Sequence, residues 1–377
     1  MNSQQTIQCI APNKINAGMP LLTIDTANSI SPYEFLPSWF FYTPVVLQSV
    51  FQGMKYRNWK LPLIANPSIK LSGMVGESKH DILSLAGKES LKWISPFTTI
   101  TTSKEKHAVQ LKFALQSMRQ SNIDFPVVTK PDLGCRGAGV KLLHTPQQLE
   151  QYIANFPVGA RFLIQEKAPY QAEAGVFYVR YPGQSKGKII SMTLKYAPSV
   201  TGDGKNTLKQ LIELCPRAGQ LSHLYFPRHT NKLNWVPSKG EEFQLAFAGS
   251  HSRGSIFRNG NQFITDKLAQ RLDAIFNDFD GFHYGRLDIK FKDMPSLMEG
   301  EAFTILEING ASSEAAHIWD RQTPLKEIFT TLLYQYRLLF DIGAQQQQRG
   351  FQTPPFKELF LAWKEEKRLT EQYPTTD

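Results

Sequence analysis

Three oxygen-bearing side chains late in the sequence have the types and spacing of a magnesium site. Asp288 lies in the segment YGRLDIKF, and Glu307 and Asn309 lie two residues apart in FTILEING. Because successive side chains of a strand point to opposite faces, Glu307 and Asn309 are predicted to share one face. Mg²⁺ prefers a few carboxylates plus phosphate oxygens to a cage of protein ligands alone. The alternative, ordinary surface acids, is less favoured because acids set among Leu, Ile and Phe are costly without a compensating ion.

A glycine-rich segment, FPVVTKPDLGCRGAGV, follows a predicted strand in the first half of the chain. Lys130 ends that strand, and Gly134, Gly137 and Gly139 allow backbone N–H groups to approach an anion closely. The segment lacks the GK[ST] ending of a Walker A loop and the βαβ context of a dinucleotide-binding fingerprint. Taken alone it is more typical of an ordinary hairpin.

Two acids flank the next predicted strand pair, RFLIQEKAPYQAEAGVFYVRY. Glu166 ends the first strand, a short apolar linker follows, and Glu173 precedes the second strand. A hinge of this form could bind adenine through its backbone and Glu166, and ribose hydroxyls through Glu173. Read singly, each of these two acids is more typical of a solvated loop.

The order of these features resembles the ATP-grasp superfamily, in particular D-alanine–D-alanine ligase and the cyanophycin synthetase and glutamate ligase-like carboxylate–amine ligases. The segments VTGDGKNTLKQLIE (200–213) and VPSKGEEFQLAFAGSHSRGS are similar to stretches of the cyanophycin-type enzymes. The resemblance covers roughly residues 75 to 320, and the final Asp…Glu-x-Asn is its most specific part. The insertion KDMPSLMEGEA before Glu307 departs from the usual connection.

The resemblance implies a set of ATP-binding residues. Lys130 and Lys195 would contact phosphates, and the first lysine of the family is assigned to Lys79, with Lys88 and Lys92 as alternatives. The full predicted set is Lys79, Lys130, Gly134, Gly137, Gly139, Glu166, Glu173 and Lys195.

The resemblance also implies the metal ligands and the catalytic residues. Asp288, Glu307 and Asn309 would hold two Mg²⁺ ions, for which Mn²⁺ is an expected substitute. The predicted catalytic residues are Arg286, Lys195 and Arg253. A cation beside developing charge in a dry site stabilises a transition state by several kcal/mol in general.

The implied reaction is carboxylate–amine ligation. ATP would phosphorylate a carboxylate, and an amine would attack the acyl phosphate, releasing ADP and phosphate. The sequence identifies neither substrate. Two alternatives are a small-molecule kinase built on the same fold and a membrane-surface scaffold that binds ATP without turnover.

The elements that must position these residues indicate an α+β protein. Residues 1–100 are predicted to form an N-terminal region, 101–190 the small subdomain with the glycine-rich loop, 191–345 the metal-binding subdomain, and 346–377 a C-terminal helical tail. The segment ITDKLAQRLDAIFNDF is predicted to be an amphipathic helix with Leu268, Leu272 and Phe276 on one face.

Composition limits the partners and the compartment. The net charge of +9 favours anionic ligands, but the sequence contains no nucleic-acid-binding module, so no nucleic acid is expected. Cys9, Cys135 and Cys215 are scattered and odd in number, which argues against a disulfide framework and for the cytoplasm. The start of the chain does not read as a signal peptide. Oligomeric state has no signal in the sequence.

One N-terminal segment has no charged residue from Phe35 to Met54 and is followed by Lys55, Arg57 and Lys60. A buried aromatic helix or strand pair is the favoured interpretation. The first alternative is a peripheral contact of residues 35–60 with the inner face of the membrane. A transmembrane helix is the least favoured, because Pro37 and Pro44 interrupt the segment.

Overall fold

The computed structural model describes residues 15–22, 36–134, 137–247, 249 and 254–376. This part of the chain contains two large antiparallel sheets with helices packed on them, so the predicted α+β class is confirmed. The strands are β1 (Phe97–Thr101), β2 (Val127–Pro131), β3 (Lys141–Leu143), β4 (Arg161–Glu166), β5 (Ala172–Val179), β6 (Lys188–Tyr196), β7 (Ser199–Thr201), β8 (Glu242–Gln244), β9 (Ile256–Asn259), β10 (Tyr284–Phe291) and β11 (Phe303–Asn309). The helices are α1 (Ser38–Tyr56), α2 (Lys79–Leu83), α3 (Lys88–Leu91), α4 (His107–Gln120), α5 (Pro146–Ala154), α6 (Leu208–Leu214), α7 (Pro216–Gln220), α8 (Ser222–Arg228), α9 (Asp266–Asn277), α10 (Met294–Met298), α11 (Leu325–Gln348) and α12 (Phe356–Thr370).

The smaller sheet has four strands in the order β1-β4-β2-β3. Helices α4 and α5 cover one side of it. Ala114 and Met118, four residues apart on α4, are buried in the same core as Leu149 and Ile153 of α5. The Thr145 side chain caps α5 by accepting a hydrogen bond from the backbone N–H of Gln148.

The larger sheet has five strands in the order β11-β10-β5-β6-β9. Leu287, Ile289 and Phe291 of β10 point into a core covered by α9. The predicted Leu268, Leu272 and Phe276 of α9 are buried there, together with Ile275. The alternate residues of β10 therefore point to the opposite face of the sheet, toward the smaller sheet.

The chain passes from the smaller to the larger sheet between Glu166 and Ala172. The sequence-based boundary at 190/191 is therefore later than the structural one. β5 is a central strand of the larger sheet, and its pairing partner β10 lies more than a hundred residues away in the chain. Local patterns of polarity carry no information about such a distant partner.

A separate small unit follows the larger sheet's strand β6. Strands β7 and β8 pair, and α6, α7 and α8 pack beside them around a core that includes Cys215. Cys215 takes part in a disulfide, whereas the scattered cysteines argued against a disulfide framework and for the cytoplasm. Scattered spacing argued only against a multi-disulfide framework, and the cytoplasmic assignment loses this support.

Helix α1 packs along α11. Phe41 and Val45 are buried against Ile328 and Leu332, which agrees with the favoured interpretation of the N-terminal aromatic segment. Within the described ranges, none of the helices has both the length and the apolar composition needed to cross a bilayer.

The C-terminal residues return to the smaller sheet. Leu369 of α12 is buried in the core of that sheet, and Tyr373 stacks on Phe156 with ring centroids 5.2 Å apart. The tail thereby lies against the glycine-rich segment.

Candidate active site

A cavity of about 730 Å³ lies between the two sheets. Its walls come from β2 and the glycine-rich segment on one side, from β10 and β11 on the other, and from the connection between β4 and β5. Every described residue predicted to bind ATP or metal lines the cavity, except Gly139.

Asp288 lies at the centre of the larger sheet's wall. Lys195 Nζ is 2.9 Å from Asp288 Oδ1, and Arg286 Nε donates a hydrogen bond of 2.9 Å to the same oxygen. Burial by itself raises the pKa of Asp288, but the Arg286 and Lys195 charges outweigh burial and lower the pKa to about 2. Asp288 is therefore an anion at any physiological pH.

Glu307 and Asn309 extend this wall onto the neighbouring strand. In the β10–β11 ladder Asp288 is paired with Glu307, and Arg286 is paired with Asn309. Glu307 and Asn309 therefore lie on one face of the sheet, as predicted. The Nδ2 atom of Asn309 is buried without a hydrogen-bond partner in the described part of the chain.

The donor set fits Mg²⁺ bound partly by a nucleotide. Asp288 and Glu307 supply carboxylate oxygens and Asn309 an amide oxygen, which are ligands of the kind that Mg²⁺ accepts. In the described ranges no three acidic, histidine or cysteine side chains form a complete metal cage. An ion held here would need oxygens from a bound ligand.

Two lysines approach the carboxylates from the side of the smaller sheet. Lys130 is buried at the end of β2, and its Nζ donates to the carbonyl of Leu306 at 3.1 Å. Burial lowers the pKa of Lys130, although Glu307 opposes this effect. Lys79 Nζ donates to the Gly134 carbonyl at 2.8 Å and lies 3.5 Å from Glu307 Oε1.

The structure distinguishes between the three sequence candidates for the first ATP-binding lysine. Lys79 lines the cavity, whereas Lys88 and Lys92 do not. Lys92 instead forms an exposed ion pair with Glu89. The geometry therefore favours Lys79, because the short helix α2 directs it toward the glycine-rich segment.

Glu173 is the second residue of β5 and faces the same polar surface. Its carboxylate lies 3.4 Å from Lys195 Nζ and 3.7 Å from Lys290 Nζ. Lys290 was missed by sequence reasoning, although its position two residues after Asp288 on an alternating strand placed it on this face. Burial lowers the pKa of Lys290.

Gly175 makes room for this charged group. A Cβ atom at this position would lie 3.1 Å from Arg286 Cδ, 3.3 Å from Asp288 Oδ1 and 3.4 Å from Lys195 Cε. Glycine is therefore the residue that lets the three side chains converge over β5.

Glu166 ends β4 at the rim of the cavity, where its side chain is exposed. Its backbone N–H donates to the Pro96 carbonyl and its own carbonyl accepts from Ser95 Oγ. Contact with a base would thus involve the Glu166 side chain or the following residues, Lys167 and Ala168, which also line the cavity.

The glycine-rich segment is held from two sides. Gly139 has a φ of +70°, and a Cβ there would lie 2.7 Å from the Pro131 ring, so glycine is required. Thr376 accepts a hydrogen bond from the Gly139 N–H and donates to the Gly137 carbonyl. The Tyr373 hydroxyl donates to the Leu133 carbonyl at 2.8 Å.

Glu77 is a second residue that sequence reasoning did not assign. Its Oε1 accepts a hydrogen bond of 2.6 Å from the Gly310 N–H, directly after Asn309. Burial raises the pKa of Glu77 to about 8, and the nearby Glu307 charge adds to this effect. The predicted catalytic Arg253 lies outside the described residues.

A scan of the sequence against family models and a search of curated proteins returned no match. Among solved structures, the chain is similar to a bifunctional glutathione synthetase from Pasteurella multocida, at 13% identity and a TM-score of 0.36 over 70% of this chain. The similarity spans 36% of the length of that synthetase. The chain is also similar to D-alanine–D-alanine ligase from Bacillus anthracis, at 11% identity and a TM-score of 0.41, over 75% of this chain and 72% of that one.

Proposed function

We propose that this protein is an ATP- and Mg²⁺-dependent carboxylate–amine ligase of the ATP-grasp type. The observation that carries the proposal is that Lys79 of α2 and Lys195 of β6 contact the Asp288–Glu307 carboxylate pair in one cavity, which Lys130 of β2 also lines. Positive side chains suit the phosphates of a nucleotide, and paired carboxylates suit the cation that accompanies them.

The nucleotide would lie with its base at the β4–β5 connection and its phosphates among Lys79, Lys130 and Lys195. Glu173 would bind ribose hydroxyls. Asp288, Glu307 and Asn309 would hold Mg²⁺, which when bound neutralises phosphate charge and aligns the oxygens for transfer. In this arrangement Lys195 exchanges its contact with Asp288 for one with phosphate.

Arg286 is the residue best placed to act on the second substrate. It donates to Asp288 and its Nη1 lies 3.4 Å from the Glu314 carbonyl, on the part of the cavity wall beyond the metal ligands. A carboxylate held beside this guanidinium would receive the γ-phosphoryl group, forming an acyl phosphate and ADP. Attack by a neutral amine then forms the amide bond and releases phosphate. The proton of the attacking amine leaves with solvent or with phosphate.

The proposal is tested by ATP turnover with Mg²⁺ and a fractionated metabolite extract, with hydroxylamine as a trap. Extract-dependent ADP, phosphate and hydroxamate are expected, because only an acyl phosphate yields a hydroxamate. ADP without phosphate or hydroxamate would instead indicate a kinase, and ATP binding without turnover would indicate a scaffold.

Two lysines of β6 provide a matched pair of variants. Lys195→Met is expected to abolish turnover, whereas Lys188→Met, at the exposed start of the same strand, is expected to keep it. Equal activity of the two variants would contradict the assignment of Lys195 to the phosphates.

A further inference from the structure

Helix α1 has an exposed apolar side opposite the side that packs on α11. Six of its large apolar residues are exposed: Trp39, Val46, Leu47, Val50, Phe51 and Met54. At about 100° per residue they occupy an arc of roughly 140° and extend over roughly 22 Å of helix. Isolated exposed apolar residues are ordinary, but a continuous patch of this size marks an interaction surface. We call these six residues the α1 patch.

The apolar character of the patch is already present in the sequence. No charged residue occurs between Leu36 and Met54. The exposed fractions of Trp39, Leu47 and Phe51 are 68%, 66% and 61%. The core of the protein uses the opposite side of the helix, where Phe41 and Val45 are buried. The α1 patch is therefore not needed to hold α1 in place.

Positive charge is concentrated at one end of the patch. Lys55, Arg57 and Lys60 follow Met54 directly, and no described acidic side chain forms a salt bridge with any of them. A partner that covers the patch would thus meet an apolar surface bordered by three cations. A bilayer with anionic headgroups has this combination, since its acyl boundary is apolar and its surface attracts lysine and arginine.

Trp59 lies at the boundary between the apolar and basic parts. Its ring packs over Gly53, where a Cβ atom would lie 2.1 Å from Trp59 Cδ1, and 54% of Trp59 remains exposed. The glycine thus holds an amphipathic ring beside the last turn of the patch. Tryptophan is enriched at the depth of lipid headgroups because its ring is amphipathic.

We propose that the α1 patch docks on the surface of an anionic bilayer, with Lys55, Arg57 and Lys60 at the headgroups. The inference does not depend on the proposed enzymatic activity. Phe41 and Tyr42, at the N-terminal end of the same helix, line the cavity between the sheets. The docked helix would therefore hold one wall of that cavity close to the membrane surface.

The test uses the full chain in flotation with vesicles of phosphatidylcholine and phosphatidylserine, compared with phosphatidylcholine alone. Wild-type protein is expected to float with the anionic vesicles and to dissociate at high salt, which screens the three cations. The variant Leu47→Ser/Phe51→Ser is expected to lose about tenfold or more in partitioning, because both side chains are removed from the lipid-facing side.

A matched control exists on α4, where Val109 and Phe113 have the same i, i+4 spacing and similar exposure. The variant Val109→Ser/Phe113→Ser is expected to float like wild type. Both double variants change exposed residues, so their thermal unfolding is expected to match that of wild type.

Three results would overturn the inference. The first is wild-type protein that does not float with anionic vesicles, and the second is equal loss of flotation in the α1 and α4 variants. The third is a wild-type protein that does not bind vesicles but forms a dimer in sedimentation velocity, with the dimer lost in Leu47→Ser/Phe51→Ser. That result would assign the patch to a second copy of the chain.

Discussion

Replacing Asp288 by asparagine is the most informative single change, because it removes one charge and keeps the shape of the side chain. In the wild-type protein the Asp288 carboxylate contacts Lys195 and Arg286, each at 2.9 Å, and its side chain is 13% exposed. We expect Asp288→Asn to lose ATP turnover by on the order of a hundredfold or more, as for a removed metal ligand or electrostatic group.

The cost to stability follows from the pKa of the same carboxyl. The pKa of Asp288 is lowered from 3.8 to about 2 in the folded protein. At about 1.4 kcal/mol per pKa unit, this difference corresponds to about 2 kcal/mol of the free energy of unfolding near neutral pH. The typical cost of breaking a buried pair is about 3–5 kcal/mol. We expect the lower figure because Lys195 keeps Glu173 at 3.4 Å.

The sign of the pH dependence is fixed by the lowered pKa. The stabilisation by Asp288 is present above the unfolded pKa of about 4 and is lost as the pH falls through the folded pKa of about 2. Urea unfolding should therefore separate wild type from Asp288→Asn near neutral pH, and the separation should shrink toward zero near pH 2.

The control is Asp273→Asn. Asp273 accepts hydrogen bonds from the Tyr178 hydroxyl and the Gly187 N–H, both at 2.7 Å, and it does not line the cavity. This variant should be less stable than wild type, but it should keep its ATP turnover at temperatures at which it remains folded. Near-normal turnover in Asp288→Asn would refute the metal assignment, and a stability difference that does not change with pH would refute the electrostatic argument.

Three further predictions concern other parts of the structure. Gly175→Ala places a methyl group 3.1–3.4 Å from the charged side chains above it, so steady-state kinetics should show a loss of turnover on the order of tenfold with little change in Tm. Burial lowers the pKa of His283 to about 4, so the free energy of unfolding should fall by about 3 kcal/mol as the pH drops from about 6.5 to 4, and urea unfolding of His283→Gln should show a smaller fall. The double variant Tyr373→Phe/Thr376→Ala removes the hydrogen bonds from the tail to the glycine-rich segment, and titration with a fluorescent ATP analogue should show affinity weakened about three- to tenfold. Unchanged affinity would mean that the tail does not position that segment.

The sequence by itself determined the features that depend on local periodicity. Alternation along β11 placed Glu307 and Asn309 on one face, and the helical spacing of α9 identified its buried side. Alternation along β10 likewise places Lys290 on the same face as Asp288, although the sequence analysis did not assign a role to Lys290. These predictions succeed because the direction of a side chain within one element is set by its own backbone.

The tertiary structure alone decided the features that depend on distant parts of the chain. It placed Lys79 beside Glu307, brought Glu77 to the Gly310 N–H, and joined β5 to the larger sheet. It also exposed one side of the aromatic helix α1 and buried the other against α11. Each of these outcomes depends on which elements pack together. Hydrophobic burial and strand pairing over long sequence separations set that choice, and no short pattern in the sequence records it.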